Sequence, residues 1–382
     1  MAVTENQTPT LSVDLLPPME FVQRTERLRA MMQDASWDGL VVTNLTNVRY
    51  LTGFTGSAGV LLVTEGELLF VSDGRYRDQS AAELQASGVE IRIEIVASDP
   101  DLAIAKAALR AGVRSLGLEA QSVTWAAQRR WQSELFTTGD IAATDGVVEA
   151  LRLIKDAGEA ARIRAACAIA DEALSQIRPL LGDGPTEIEF GLELDSRMRK
   201  LGADDLSFET IVASGPNGAK PHHHPSHRQI SEGDLVVIDF GALIDGYHSD
   251  MTRTVAVGDV GEERANMLNV VLRSQQAGVE AIHPGVTAAE VDEACRSVIA
   301  EAGLADAFLH STGHGVGLDI HEEPRVSSRS TAILQPGHVV TVEPGVYLPE
   351  FGGVRIEDTL LVTEDGCDRL TLAPKDPALL SV

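Results

Sequence analysis

The sequence predicts a two-domain protein of mixed α and β structure, an α/β layer domain followed by a domain of two similar halves. Three observations predict it. The chain has 382 residues, more than the roughly 250–300 at which a single hydrophobic core stops growing. Up to about residue 150 it alternates helical and extended patterns, as layered α/β domains do. Beyond that point a segment starting at Gly184 recurs without gaps from Gly285.

Phe21, Thr25, Leu28, Met32 and Ala35 fall on one helical face. Gly39 to Thr43 reads as a short strand. Gly59 to Val63 and Leu68 to Val71 read as a hairpin around Glu65-Gly66, and Ile91 to Val96 as a further strand. A helix follows from Asp101 to Ala111, with Pro100 near its start, where a missing N–H costs little. The Gly-rich run Thr52 to Ser57 lacks Gly-Lys-Ser/Thr and opens no helix, so it is expected to be a turn and not a phosphate cradle. From Leu151 to about Leu181 the pattern predicts one long amphipathic helix, whose start is a natural boundary. The expected organisation is a polar tail over 1–18, a first domain over 19–150 and a second over 151–382.

The repeat in the second domain begins at two helix starts. Gly184-Pro-Thr186-Glu-Ile-Glu189 matches Gly285-Val-Thr287-Ala-Ala-Glu290, and each contains the Thr-x-x-Glu of a capping box. The strands that follow match as well. Leu235-Val-Val-Ile-Asp239-Phe-Gly241 aligns with Val339-Val-Thr-Val-Glu343-Pro-Gly345, and Asp250-Met-Thr252 with Glu357-Asp-Thr359. Two halves related by an approximate two-fold axis would each supply a pair of acids.

With 57 acidic and 31 basic side chains the formal charge is −26, which makes nucleic acid and anionic lipid poor partners. The three cysteines form no Cys-x-x-Cys pair, so neither a disulfide framework nor a zinc knuckle is expected. The first 18 residues lack the basic and apolar regions of a signal peptide, and no apolar stretch is long enough to span a bilayer. The expected location is cytoplasmic.

The repeated acids carry the chemistry. Asp239 and Glu343 interrupt strands that otherwise read as buried, and Glu357 lies just before the apolar Leu360-Leu-Val362. A buried carboxylate is costly unless it is paired or coordinated. Any one acid could simply end a strand, or pair with Arg253 or Arg355; two pairs in register call for more. His314, among Gly313, Gly315 and Gly317, is the fifth candidate, the glycines being expected to let the backbone pass close to a metal. Four carboxylates and one imidazole suit Mn²⁺ or Co²⁺, with Fe²⁺ or Zn²⁺ as alternatives, better than a structural zinc site. Such a set could hold two ions that share a hydroxide.

In order and spacing, Asp239, Asp250, His314, Glu343 and Glu357 resemble the ligands of the pita-bread metallopeptidases, which include methionine aminopeptidase, Xaa-Pro aminopeptidase and prolidase. The flanking Ser249-Asp-Met-Thr-Arg-Thr254, Gly313-His-Gly-Val-Gly317, Glu343-Pro-Gly345 and Arg355-Ile-Glu357-Asp358 carry the resemblance too. Asn47 to Ser57 and Asp73-Gly-Arg-Tyr76 look like a creatinase-type N-terminal domain, which points to the proline-specific branch. The resemblance implies a pita-bread catalytic domain in which Asp239 chelates one metal, His314 and Glu343 the other, and Asp250 and Glu357 bridge. It places His222 at the mouth of the site and His321 on the scissile carbonyl oxygen. Glu343 would relay a proton, and Arg325 is a candidate for a substrate carboxylate. The implied substrate is a peptide with proline in second position, and the implied assembly a homodimer. Two other readings are open to such a chain: a metal-free, creatinase-like amidinohydrolase and a non-catalytic binding module. Both normally have altered ligand sets, and this one is complete. Whether the activity is that of a dipeptidase or an aminopeptidase stays open in the sequence. The remaining histidines, His223 and His224 among them, read as surface or packing residues.

Overall fold

The computed structural model describes residues 15–349 and 351–378. The chain divides into two compact units, one over 19–152 and the other from residue 153 onward together with residues 15–18. The polar tail expected over 1–18 lies, as far as residue 14, outside the described residues. Pro17 belongs to the second unit, and its carbonyl accepts from Arg162 Nη1 at 2.9 Å.

The first unit is built on a six-stranded mixed sheet, in the spatial order 92–96, 68–73, 60–64, 39–42, 115–119 and 140–144. The expected hairpin is present, with Val60–Thr64 antiparallel to Leu68–Asp73. The helix Leu45–Thr52 ends at Gly53, whose φ of 76° suits glycine. The Gly-rich run therefore leaves a helix instead of opening one, as expected of a turn. Asp99 caps the helix Pro100–Arg110, which packs Ala103, Ile104 and Ala107 into one core with Val41, Leu62 and Leu69 of the sheet.

The expected long helix from 151 to 181 is interrupted. One helix stops at Arg152, and Ala157–Ile177 starts afresh. Asp156 and Glu159 form a complete capping box there, which satisfies the free N–H groups of a new helix start. At the far end Pro179 falls in a 3-10 turn, Arg178–Asp183. The apolar spacing runs across both breaks, so periodicity alone does not reveal them.

The two-fold repeat is visible in local structure. Ala157–Ile177 packs with Glu187–Lys200, and Glu262–Ala281 with Ala288–Glu301. Thr186 and Thr287 each complete a capping box, and each also forms an isolated antiparallel bridge, to Gln229 and to Ile333. Each half has its own apolar core. Leu174, Phe190 and Ile238 belong to the first, and Val271, Val291 and Val340 to the second.

Leu235–Phe240 is the central strand of one sheet, antiparallel to Ile211–Ser214 and Met251–Ala256. Val339–Val342 is likewise antiparallel to Gly313–Gly315 and Asp358–Val362. The symmetry is approximate: Asp239 faces Thr252 across the ladder, whereas Thr341 faces Thr359. The second half is thus offset by two residues, an even step that keeps every side chain on its own face. Among the described residues no helix is long and apolar enough to cross a membrane.

Candidate metal centre

The strands bring the repeated acids to one place. Asp239 lies on Leu235–Phe240 and Asp250 directly before Met251–Ala256. Glu343 follows Val339–Val342, Glu357 lies between Gly352–Arg355 and Asp358–Val362, and His314 is the middle residue of Gly313–Gly315. All five line a single cavity of about 400 Å³, together with His222, His321 and Arg325. Every site residue expected from the sequence therefore lies in one cavity.

Asp250, His314 and Glu357 each offer a ligand atom within 4.8 Å of the other two. His314 Nε2 is 3.5 Å from Asp250 Oδ2 and 3.4 Å from Glu343 Oε1. His314 Nδ1 lies 3.0 Å from the carbonyl oxygen of Gly315. A carbonyl only accepts, so Nδ1 carries the proton and Nε2 turns its lone pair toward the acids. Burial pushes the imidazole pKa down to about 4, which keeps that lone pair free near neutrality. His321 stacks edge-on against His314 with ring centres 4.4 Å apart.

The acids are held under electrostatic tension. Asp250 is 5 % exposed and Glu357 1 %. Burial first, then mutual repulsion, raises both carboxyls well above their ordinary range. Burial also pushes Glu343 up to about 8, against the opposing pull of Arg355. Among the described residues, Asp239 Oδ1 and Glu357 Oε1 are buried and have no hydrogen-bond partner. Buried acceptors in that state are costly. Convergent acids, a lone pair aimed at them and two orphaned oxygens fit divalent cations, which would satisfy the oxygens and reverse the repulsion.

Arg355 ties the cluster together from behind. It donates to Asp239 Oδ2 at 2.5 Å, to Thr252 Oγ1 at 3.0 Å and to Tyr347 Oη at 2.8 Å. Thr252 Oγ1 in turn donates to Glu357 Oε2 at 2.8 Å. Tyr347 Oη lies 2.9 Å from His310 Nε2, and His310 Nδ1 is 2.8 Å from the carbonyl of Ser311. The same reasoning makes Nδ1 the protonated nitrogen, so Tyr347 donates to Nε2. Thr252 had a sequence signal, its in-register match with Thr359. Tyr347 and His310 had none, because their partners are far away in the chain. The sequence suggests Arg355 only as an ion-pair partner for a lone acid. It does pair with Asp239, within a larger network.

The glycines around His314 also serve close packing of the backbone. A Cβ on Gly313 would lie 2.0 Å from the carbonyl oxygen of Thr341, and one on Gly315 2.2 Å from that of Glu323. On Gly317 it would meet the Glu322 carboxylate. They make room for neighbouring strands and for the Glu322 carboxylate.

Residues 161–364 match Metallopeptidase family M24, and residues 24–154 match the Creatinase/Prolidase N-terminal domain. The chain belongs to metallopeptidase family M24. It is similar to the uncharacterized peptidase YqhT of Bacillus subtilis, at 43 % identity over 361 residues, which cover 94 % of this chain and 100 % of that one. It is also similar to a Xaa-Pro dipeptidase of Pyrococcus furiosus, at 36 % identity over 356 residues, covering 93 % and 99 %. Among solved structures, a Xaa-Pro dipeptidase from Bacillus anthracis superposes with a TM-score of 0.89 at 40 % identity, over 94 % of this chain and 99 % of that one. This M24 metallopeptidase is thus a peptide hydrolase with a creatinase-type first domain and a pita-bread catalytic domain.

Proposed function

We propose that this metallopeptidase hydrolyses the bond between an N-terminal residue and proline at a dinuclear metal centre. The observation that carries this reading is the convergence of four carboxylates and His314, with two orphaned oxygens, on a cavity shared with Arg325. Asp239 would hold one ion, His314 and Glu343 the other, and Asp250 and Glu357 both. When bound, the ions supply Lewis acidity, polarising a carbonyl and lowering the pKa of a water. Manganese suits the oxygen-rich donor set.

The other side chains in the cavity do the rest. His321, partly exposed beside His314, donates a hydrogen bond to the oxyanion that develops on the scissile carbonyl. The proline nitrogen is a poor leaving group until it is protonated, and Glu343 is the acid that takes a proton from water and returns it there. His222 borders the cavity and contacts the bound peptide. Arg325 is an exposed guanidinium on the cavity wall, free to pair with the carboxylate of a substrate that ends at proline. The volume of about 400 Å³ is within the range of small-ligand pockets. The relatives named as Xaa-Pro dipeptidases support the same reading.

The test is release of free proline from Ala-Pro by protein supplied with Mn²⁺, compared with release of leucine from Ala-Leu. Selective proline release is expected, and equal or reversed rates would contradict the proline reading.

A further inference from the structure

Glu187 is the first residue of the helix Glu187–Lys200, directly after the cap Thr186. It is fully buried and is surrounded by donors from one loop. Ser214 N–H and Oγ reach its Oε1 at 2.7 and 2.6 Å. Ser226 N–H and Oγ reach its Oε2 at 3.0 and 2.6 Å. Asn217 Nδ2 lies 3.1 and 3.2 Å from the two oxygens, and His223 Nε2 donates to Oε2 at 2.9 Å. Burial alone would raise this carboxyl, but the hydrogen bonds outweigh it and hold it at about 2. The carboxylate gathers donors from residues 214 to 226.

That loop carries His222 into the cavity, and His222 is fixed on both sides. After it, His223 is bonded to Glu187. Before it, the carbonyl of Pro221 accepts from Arg355 Nη1 at 3.4 Å, the arginine that also holds Asp239. Between Arg355 and the loop the backbones are in contact: a Cβ on Gly353 would lie 2.0 Å from the carbonyl oxygen of Gly218.

The two-fold repeat separates this arrangement from ordinary helix-start chemistry. The position equivalent to Glu187 in the second half is Ala288, which also follows a capping threonine and is also fully buried. An alanine methyl fills this place in the second half, and the acid is present in the half whose loop carries His222.

From this we infer that Glu187 is a positioning residue for substrate binding, acting through the loop it holds to set His222 at the cavity. The inference rests on the proposed role of His222 at the bound peptide. Glutamine has the same shape, but its amide NH2 would face the backbone N–H of either Ser214 or Ser226, neither of which can turn into an acceptor. Half of the clamp would be lost.

The experiment is a double-mutant cycle on the Mn²⁺-loaded full chain with Ala-Pro as substrate, comparing Glu187→Gln, His222→Ala and the double variant. Metal content and amide exchange of Asn217 to Ser226 are followed in parallel. Glu187→Gln is expected to raise KM about tenfold, with kcat and metal content little changed and faster exchange in the loop. The double variant should be no worse than His222→Ala alone, because the two residues act in series. Ser226→Ala removes one hydroxyl donor, leaves the anion in place and should raise KM less; it keeps the test open if Glu187→Gln does not fold. A Glu187→Gln protein with lowered melting temperature but unchanged KM would overturn the inference, as would additive effects in the cycle. An unchanged KM in His222→Ala alone would instead remove the reading of His222 on which it rests, and the inference with it.

Discussion

Arg355 Nη2 lies 2.5 Å from Asp239 Oδ2, while Asp239 Oδ1 on the same carboxylate is buried without a partner among the described residues. One oxygen is held by a fixed cation, and the other faces no hydrogen-bond donor among the described residues. The division sets the direction in which Asp239 presents its lone pairs, the task outer partners perform around metal ligands.

Replacing Arg355 by methionine should therefore strain the metal-free protein most. The side chain is 4 % exposed, and removing it leaves buried acids without their nearest cation. A loss of about 3–5 kcal/mol is expected for breaking such a pair. Chemical denaturation of metal-free Arg355→Met checks it, and added Mn²⁺ should recover part of the loss.

The acids predict a pH dependence of definite sign. Glu343 is raised from 4.5 to about 8 by burial, and Asp250 and Glu357 move the same way. A raised carboxyl binds its proton more tightly folded than unfolded, so its contribution is complete below the unfolded value and is lost as pH rises toward 8. Metal-free protein should lose stability from about pH 5 to pH 8 relative to the metal-loaded form. Metal uptake in that window should release protons, which calorimetry in buffers of different ionisation enthalpy measures. Proton uptake would contradict the assignment of these groups.

His321→Ala should lower kcat on Ala-Pro by about 10²–10³-fold with little change in KM, as for loss of one oxyanion donor. Steady-state kinetics decides it. A raised KM with kcat intact would make His321 a ground-state contact.

Arg325→Met should separate dipeptides from longer peptides. Losing a charge-assisted bond of about 1.5–3 kcal/mol should raise KM for Ala-Pro by about tenfold or more. KM for Ala-Pro-Ala should change less, because its proline carries no free carboxylate. Equal effects on both substrates would show that Arg325 does not read the carboxylate.

Much of this site was legible because the fold repeats itself. Asp239 with Glu343 and Asp250 with Glu357 stand out as matched pairs, and the strands that carry them bring them into one cavity. His314 was legible from its glycine-rich context, although those glycines turn out to serve close strand packing. The break at Leu153 was hidden because the apolar spacing continues across it, and only the Asp156–Glu159 cap marks the new start. His223 read as a surface residue because its partner, Glu187, looked like part of a helix start. The clamp between them depends on a loop closing over 36 positions, a relation that neither residue type nor local spacing encodes.

The central claim is that one set of five residues holds two divalent ions. Titration of metal-free protein with Mn²⁺, read by calorimetry and by elemental analysis after dialysis, tests it directly. The account predicts two ions per chain in the native protein, and loss of both metal and proline release in Asp250→Ala. Full turnover of Ala-Pro by metal-free protein, or by Asp250→Ala, would contradict it.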